Sequence, residues 1–448
     1  MIRITTLPNG ARIVTEVVES VYSAAIDLWI EVGSAYENTS NSGVSHFIEH
    51  MLFKGTTTRS AERLMEEIED VGGMLSASTS REITKLYGHM LGDCLPVAVD
   101  IMLDMVQNPL FAQADLALER KVILDEIDMY DDDPGDVAQE LVYQHLWQGS
   151  PQAMPITGDS LAVKAMSRET LLSYYKQFYR PERMIVSVAG NFDEEATIKS
   201  LSQKLMDFDA SSAAPRAGAM LRPPVPKTSK FRILEDWETE MAQLIIAMPG
   251  LKNSDKLQTA LQVLDLCLTT SASSRLFKEV REKRGLAYNI GSLQHSYRDC
   301  GLYGVAAAVN PANAAQVYEL IFIEFERLKK EGLTEREILR AKNQLRTDLL
   351  MDKESMTGRS TENASDLLFF DRLIPLEERQ AEIDAVTNEQ IIELAKLLFT
   401  EPPSVVLVGP QGELQHLIAD NDIKNSLTKD HKTGRRKAGV PSGKTLGH

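Results

Sequence analysis

His46-Phe47-Ile48-Glu49-His50 reads H-x-x-E-H. On a helix, residues four apart lie one above the other, so both imidazoles can reach one metal ion. Glu49 falls about one turn after His46 and points the same way without having to ligate. Two neutral nitrogen ligands beside a free carboxylate suit hydrolysis, because the carboxylate can take a proton from a water that the metal activates.

The pattern is a zinc-site signature in which the helical pair is inverted relative to H-E-x-x-H. With eight histidines in the chain, such a match arises by accident about once in a hundred sequences, so its surroundings decide. Ser40, Asn41 and Ser42 offer N-caps and Gly55 offers a stop. Val44, Phe47, Ile48, Met51 and Leu52 form an apolar stripe at helical spacing. His46, Glu49, His50 and Phe53 fall on the neighbouring stripe. Burying three ionisable groups on one flank is costly unless a metal or hydrogen bonds compensate.

A catalytic zinc needs a third protein ligand and one open position. The helical pattern 113–130 carries Leu116, Val122, Ile123 and Ile127 as apolar positions, with Glu119 and Glu126 seven apart on one face. One could ligate and the other could orient a ligating histidine. Spacing alone equally allows two solvated glutamates.

The stretch Gly43-Val44-Ser45-His46-Phe47-Ile48-Glu49-His50-Met51-Leu52-Phe53-Lys54-Gly55-Thr56 resembles the M16 (pitrilysin-type) metallopeptidases, most closely their mitochondrial processing peptidase-like branch. The resemblance implies a glutamate ligand 76 positions after the second histidine, which here is Glu126, and a supporting glutamate seven residues earlier, which here is Glu119. It therefore implies His46, His50 and Glu126 as ligands of one Zn²⁺ per chain, Glu49 as general base, and Glu119 as the residue that orients a ligating histidine, His50.

Three further stretches extend the resemblance. Gly72-Gly73-Met74-Leu75-Ser76-Ala77-Ser78-Thr79-Ser80-Arg81-Glu82 is similar to the family's active-site edge strand, which implies that Ser76 and Ala77 lie where substrate adds as an extra strand. Ser76 stands where the family usually has Asn. The stretch 276–288 carries Arg281 and Tyr288 seven apart. The resemblance implies that Arg281 holds substrate carbonyls and that Tyr288 stabilises the tetrahedral oxyanion, both from the other half of the chain. The residues alone favour an ordinary charge and a core aromatic. Ser150–Gly158 departs from the family's usual His-Pro-Leu-Gly wording, which bears on loop shape.

The formal charge of −17 argues against a nucleic-acid surface and suits cationic peptides. No run of 18 apolar residues predicts a membrane span. The first ten residues read as a strand and turn rather than a signal or transit peptide, which predicts a bacterial-type cytoplasmic home, with an organellar matrix as the alternative. Cys94, Cys267 and Cys300 show neither metal spacing nor disulfide density.

Small and Pro-rich residues mark an interdomain linker at 209–229. It separates a zinc-binding peptidase domain at 1–208 from a similar domain without a metal site at 230–420. A flexible basic tail follows at 421–448. Both halves carry a helix, a turn and a helix, at 95–130 and 312–350, as after a duplication. Leu257–Leu268 matches the histidine helix but has no histidine, and Thr347 stands where Glu126 would. Mixed strands and helices without βαβ alternation predict an α+β fold. The resemblance implies two similar domains in a clamshell, each a mostly antiparallel sheet with helices on one face. Function then reads as a zinc endopeptidase acting on extended, unfolded, basic or presequence-like peptides in a closed chamber. The alternatives are a non-catalytic scaffold or one subunit of a heteromeric processing peptidase. A homodimer is the simpler assembly and a heterodimer the other.

Overall fold

Two sheets of like topology organise the protein. In this computed structural model residues 2–208, 222–399 and 402–417 are described. The first sheet holds β1 (Ile2–Thr6), β2 (Arg12–Val17), β3 (Ser23–Ile30), β4 (Met74–Thr79), β5 (Thr84–Leu91) and β6 (Met184–Gly190), in spatial order β1-β2-β6-β3-β5-β4. The second holds β7 (Arg232–Asp236), β8 (Ala242–Pro249), β9 (Ala287–Ser296), β10 (Gly301–Val309) and β11 (Ser404–Gly409), in order β7-β11-β8-β10-β9. With β1 set aside the two orders are the same. Each has a single parallel pair, β2 with β6 and β7 with β11, among antiparallel neighbours. This is the expected α+β duplication in two similar halves that close as a clamshell.

The helices that matter here are α1 (Val44–Leu52), α2 (Leu95–Gln107), α3 (Gln113–Asp131), α4 (Pro134–Leu146), α5 (Gln258–Asp265), α6 (Ala314–Glu331), α7 (Glu335–Asp352) and α8 (Met356–Phe370). α5 answers to α1, and the pair α6–α7 answers to α2–α3. The linker expected at 209–229 lies largely outside the described residues, and the tail at 421–448 wholly outside them.

The expectation of helices on one face of each sheet needs an addition. Each half's own helices cover one face, and one helix from the other half covers the opposite face. α4 begins on Asp133, whose carboxylate accepts from Gly135 N at 2.7 Å and Asp136 N at 3.0 Å. It lays Ala138, Val142 and Leu146 against Ile245, Ala247 and Val406 of the second sheet. In return α8 lays Ala364, Leu367 and Leu368 against Val14, Trp29 and Ile185 of the first. Its polar side adds Ser360 Oγ to Ser187 O at 3.1 Å and Asn363 Nδ2 to Glu16 Oε2 at 2.9 Å.

This exchange explains the sequence of β3. Ile26, Leu28 and Ile30 enter the core under the first half's helices, while Trp29 points into the core beneath α8. A strand buried on both faces loses the apolar–polar alternation of a half-exposed one.

Candidate metal centre

α1 is held from a distance rather than by the caps predicted for it. Its N-cap is Gly43, at φ +89°, with no side-chain cap. Ser40, Asn41 and Ser42 are engaged elsewhere. Ser40 Oγ donates to Asn38 Oδ1, Asn41 Oδ1 accepts from Asn38 N, and Ser42 Oγ accepts from Asp159 N. The buried Glu37 carboxylate takes their place, accepting from Gly43 N at 2.7 Å and Ser45 N at 2.8 Å. A carboxylate at this end also complements the helix dipole. Burial nevertheless pushes its pKa up to about 7, against those backbone bonds.

Close backbone contact explains Gly43. A Cβ there would come within 2.7 Å of Thr157 O and 2.8 Å of Gly158 Cα. Gly158 has φ +92°, and a Cβ on it would meet Gly43 Cα at 2.4 Å. The loop whose wording departs from the family is therefore wedged against the start of the histidine helix.

Val44, Phe47, Ile48, Met51 and Leu52 are all fully buried, as the stripe requires. α3 packs against α1 and carries Leu116, Glu119, Ile123 and Ile127 inward. Val122, expected among its apolar positions, is 48% exposed and does not belong to the core. The ion-pair geometry separates the two glutamates. Glu126 Oε2 lies 3.6 Å from His46 Nε2 and 3.7 Å from His50 Nε2. Glu119 is buried, and its Oε2 lies 3.0 Å from His50 Nδ1. The other Glu119 oxygen faces Lys54 Nζ at 2.8 Å.

Among the described residues, His46, His50 and Glu126 form the group whose potential ligand atoms converge, all within 4.8 Å of one another. Zinc bonds of about 2.0–2.1 Å in a tetrahedron require ligand atoms about 3.3 Å apart, so the 3.6 and 3.7 Å separations fit to within a few tenths of an ångström. The charge state fits as well. Burial, then the neighbouring His50, lowers the His46 pKa to about 4, which keeps its imidazole neutral. The Glu119 contact at Nδ1 leaves the Nε2 of His50 free to face Glu126. His46 Nδ1 is buried with no hydrogen-bond partner among the described residues. Of the two histidines, only His50 thus has a carboxylate behind it.

Glu49 follows His46 on α1 and is partly buried. Its Oε2 accepts a 2.5 Å hydrogen bond from Thr79 Oγ1. Burial raises its pKa and that bond opposes the rise. Thr79 ends β4, the terminal strand of the first sheet. Ser76 and Ala77 lie on the same strand, paired with Tyr87 and Leu86 of β5. The strand is shorter than the glycine-flanked stretch implied, because Ser80 and Ile83 close a turn through Ser80 N to Ile83 O at 2.7 Å. Arg81 and Glu82 are buried beyond it.

Tyr288 lies on β9, the terminal strand of the second sheet and the counterpart of β4. It is 76% exposed, which excludes the core aromatic. Arg281 sits in the π-helical turn Phe277–Glu282 with its guanidinium 4.9 Å from the Phe277 ring centre. Its neighbours Lys283 and Arg284 both pair with Glu279. Among the described residues, no hydrogen bond or ion pair joins Arg281 or Tyr288 to the histidine cluster. In the second half the metal positions are absent, and Thr347 instead donates to its own helix at Asn343 O, 2.9 Å away.

Spacing left three residues around this site unread. Lys54 lies four residues after His50 but carries no periodic signal of its own. Glu37 acts across six to eight residues, beyond any local capping pattern. Thr79 has a signal that could have found it, since strand alternation puts it on the face of Leu75 and Ala77, toward the core.

Family comparisons agree with this architecture. The model described as insulinase (peptidase family M16) matches residues 12–160, and the one described as peptidase M16 inactive domain matches residues 165–345. The chain belongs to peptidase family M16. It is 35% identical over 420 residues to an uncharacterised zinc protease of Streptomyces coelicolor, covering 92% of this chain and 91% of that one. It is 33% identical over 414 residues to the uncharacterised zinc protease YmxG of Bacillus subtilis, covering 92% of this chain and all of that one. A protease structure from Helicobacter pylori shares the fold at a TM-score of 0.85, with 21% identity over 92% of this chain and 99% of that one. No helix among the described residues is long and apolar enough to cross a membrane.

Proposed function

We propose that this protein is a zinc-dependent endopeptidase that cleaves extended, unfolded peptides. The observation that carries the reading is the convergence of His46, His50 and Glu126, with the Glu49 carboxylate one helical turn from His46 and bonded to the free-edge strand β4. His46, His50 and Glu126 would hold the ion and Glu119 would orient His50. Zinc, when bound, polarises the scissile carbonyl and lowers the pKa of water toward neutrality.

The remaining steps belong to the chain. Glu49 takes a proton from the attacking water and passes it to the leaving amine. The unpaired edge of β4 at Ser76 and Ala77 binds substrate backbone by strand addition, which demands an extended peptide and little side-chain identity. Tyr288, an exposed phenol on the matching edge strand, donates to the oxyanion, and Arg281 holds backbone carbonyls when the halves close. The net charge of −17 favours cationic substrates.

Two observations favour a second reading. The model matching 165–345 is described as an inactive domain, and the described residues of the second half hold no metal cluster. In that reading the chain is a scaffold or one subunit of a heteromeric peptidase. Wild type and Glu49→Gln are compared on an unstructured basic peptide, with zinc measured in both. The peptidase reading expects about one zinc in each, cleavage by wild type and none by the variant. Zinc-loaded wild type that leaves the peptide intact sinks it in favour of the second reading.

A further inference from the structure

We propose that Thr79 is a positioning residue that holds the general base in register with the strand that receives substrate. The inference rests on the peptidase reading and assigns Thr79 a part that reading leaves empty.

The argument begins with alternation along β4. Leu75 is buried in the core, and Ala77 packs against the same cluster. Two residues further on, Thr79 points the same way. α1 packs across this side of the strand. The Thr79 hydroxyl therefore meets Glu49, donating to Oε2 at 2.5 Å. A hydroxyl carries one proton, so this bond commits the Thr79 donor to one carboxylate oxygen. Oε1 is left as the oxygen available to a proton in transit.

Thr79 is itself fixed. Its backbone pairs with Thr84 across the hairpin, and Thr84 Oγ1 donates to Val32 O at 3.0 Å in the sheet interior. The Ser80–Ile83 turn closes just beyond it, with Ile83 N donating to Ser80 Oγ at 3.1 Å. A carboxylate on a helix, which would otherwise turn about its own side-chain bonds, is thus referenced to a rigid hairpin. A peptide added to the free edge of β4 lies one strand spacing from that same hairpin, about 4.8 Å. One short bond consequently sets the distance between base and scissile carbonyl. Errors of about 1 Å in such a distance cost about a hundredfold in rate.

Three variants test this in the full-length, zinc-loaded protein. Thr79→Val keeps the shape and removes the donor, Thr79→Ser keeps the donor, and Thr79→Ala stands in if valine disturbs the strand. In Thr79→Val, kcat is expected to fall about 10–100-fold with KM within about twofold and zinc content unchanged. Thr79→Ser is expected to recover to within about threefold of wild type. A readout without turnover accompanies it: in metal-free protein, Thr79→Val lowers Tm by more in the wild-type background than in Glu49→Ala, because the partner is already gone. Wild-type kcat in Thr79→Val overturns the proposal. So does equal loss in the valine and serine variants together with loss of zinc, which marks a structural role only. If zinc-loaded wild type is itself inert, the peptidase reading fails first and takes this inference with it. That outcome is seen without any variant, so the two failures are distinct.

Discussion

Lys54 Nζ lies 2.8 Å from Glu119 Oε1, on the side of the carboxylate away from His50. Glu119 is thereby held at both oxygens, one by an ammonium just beyond the end of the histidine helix and one by the His50 imidazole. Losing such a carboxylate frees the His50 ring to turn and to change tautomer. Glu119→Ala is expected to weaken zinc binding about 10–100-fold in chelator competition, while Glu126→Ala, which removes a proposed ligand, weakens it further. Equal zinc affinity in Glu119→Ala and wild type would count against the supporting role.

The contact between Gly43 and Gly158 makes a second prediction. A methyl group on Gly158 would collide with Gly43 Cα at 2.4 Å, backbone against backbone, where no side chain can yield. Gly158→Ala should displace the start of α1 and so lower both Tm and zinc occupancy, although residue 158 is not itself a proposed ligand. Retention of full zinc content with wild-type Tm would show that the loop is free to move away.

Glu82 makes stability depend on pH. Its carboxylate is buried in the first half and accepts from the backbone of Arg298 in the second, at 3.0 Å from Oε2. Burial, aided by Asp299 and Glu31 and opposed by Arg298, pushes its pKa up from 4.5 to about 7. A raised carboxylate pKa favours the folded state at low pH, and that advantage is lost as pH rises through about 7. The loss amounts to about 3 kcal/mol at most. Glu82→Gln cannot ionise, so its Tm relative to wild type should rise between about pH 5 and about pH 8. A constant difference across that range would refute this. Glu37, also raised to about 7, contributes the same trend to both proteins.

The exchanged helices give a packing prediction. Leu367 of α8 is 2% exposed, between Val14, Trp29 and Ile185. Leu367→Ala is expected to cost about 2–5 kcal/mol in urea unfolding. A loss under about 1 kcal/mol would mean that the two halves are held mainly by other contacts.

What was legible in the sequence divides by the range of the interaction. His46, Glu49 and His50 share one helix, and spacing alone put them together. Glu126 and Glu119 lie on a second helix, where spacing left ligand and support interchangeable. The family offset told them apart as an expectation, and in the structure Glu126 faces both Nε2 atoms while Glu119 faces Nδ1. The duplication was readable because helix pairs and strands recur in order. The cap of α1 was misread because Ser40, Asn41 and Ser42 carry the right side chains but spend them on the preceding loop. Val122 has the apolar character of a core position on the solvent side of α3. The crossing of α4 and α8 left no local trace, since an amphipathic helix does not record which sheet it will cover.

That crossing has a consequence for how such a chain can be divided. Each half carries the helix that closes the other's sheet. Severed between the two halves, neither fragment could cover its own apolar surface, yet together they would restore the exchanged contacts of both sheets. A gene encoding this protein could therefore be broken in two and still yield a pair that folds together, provided both products are made in the same cell.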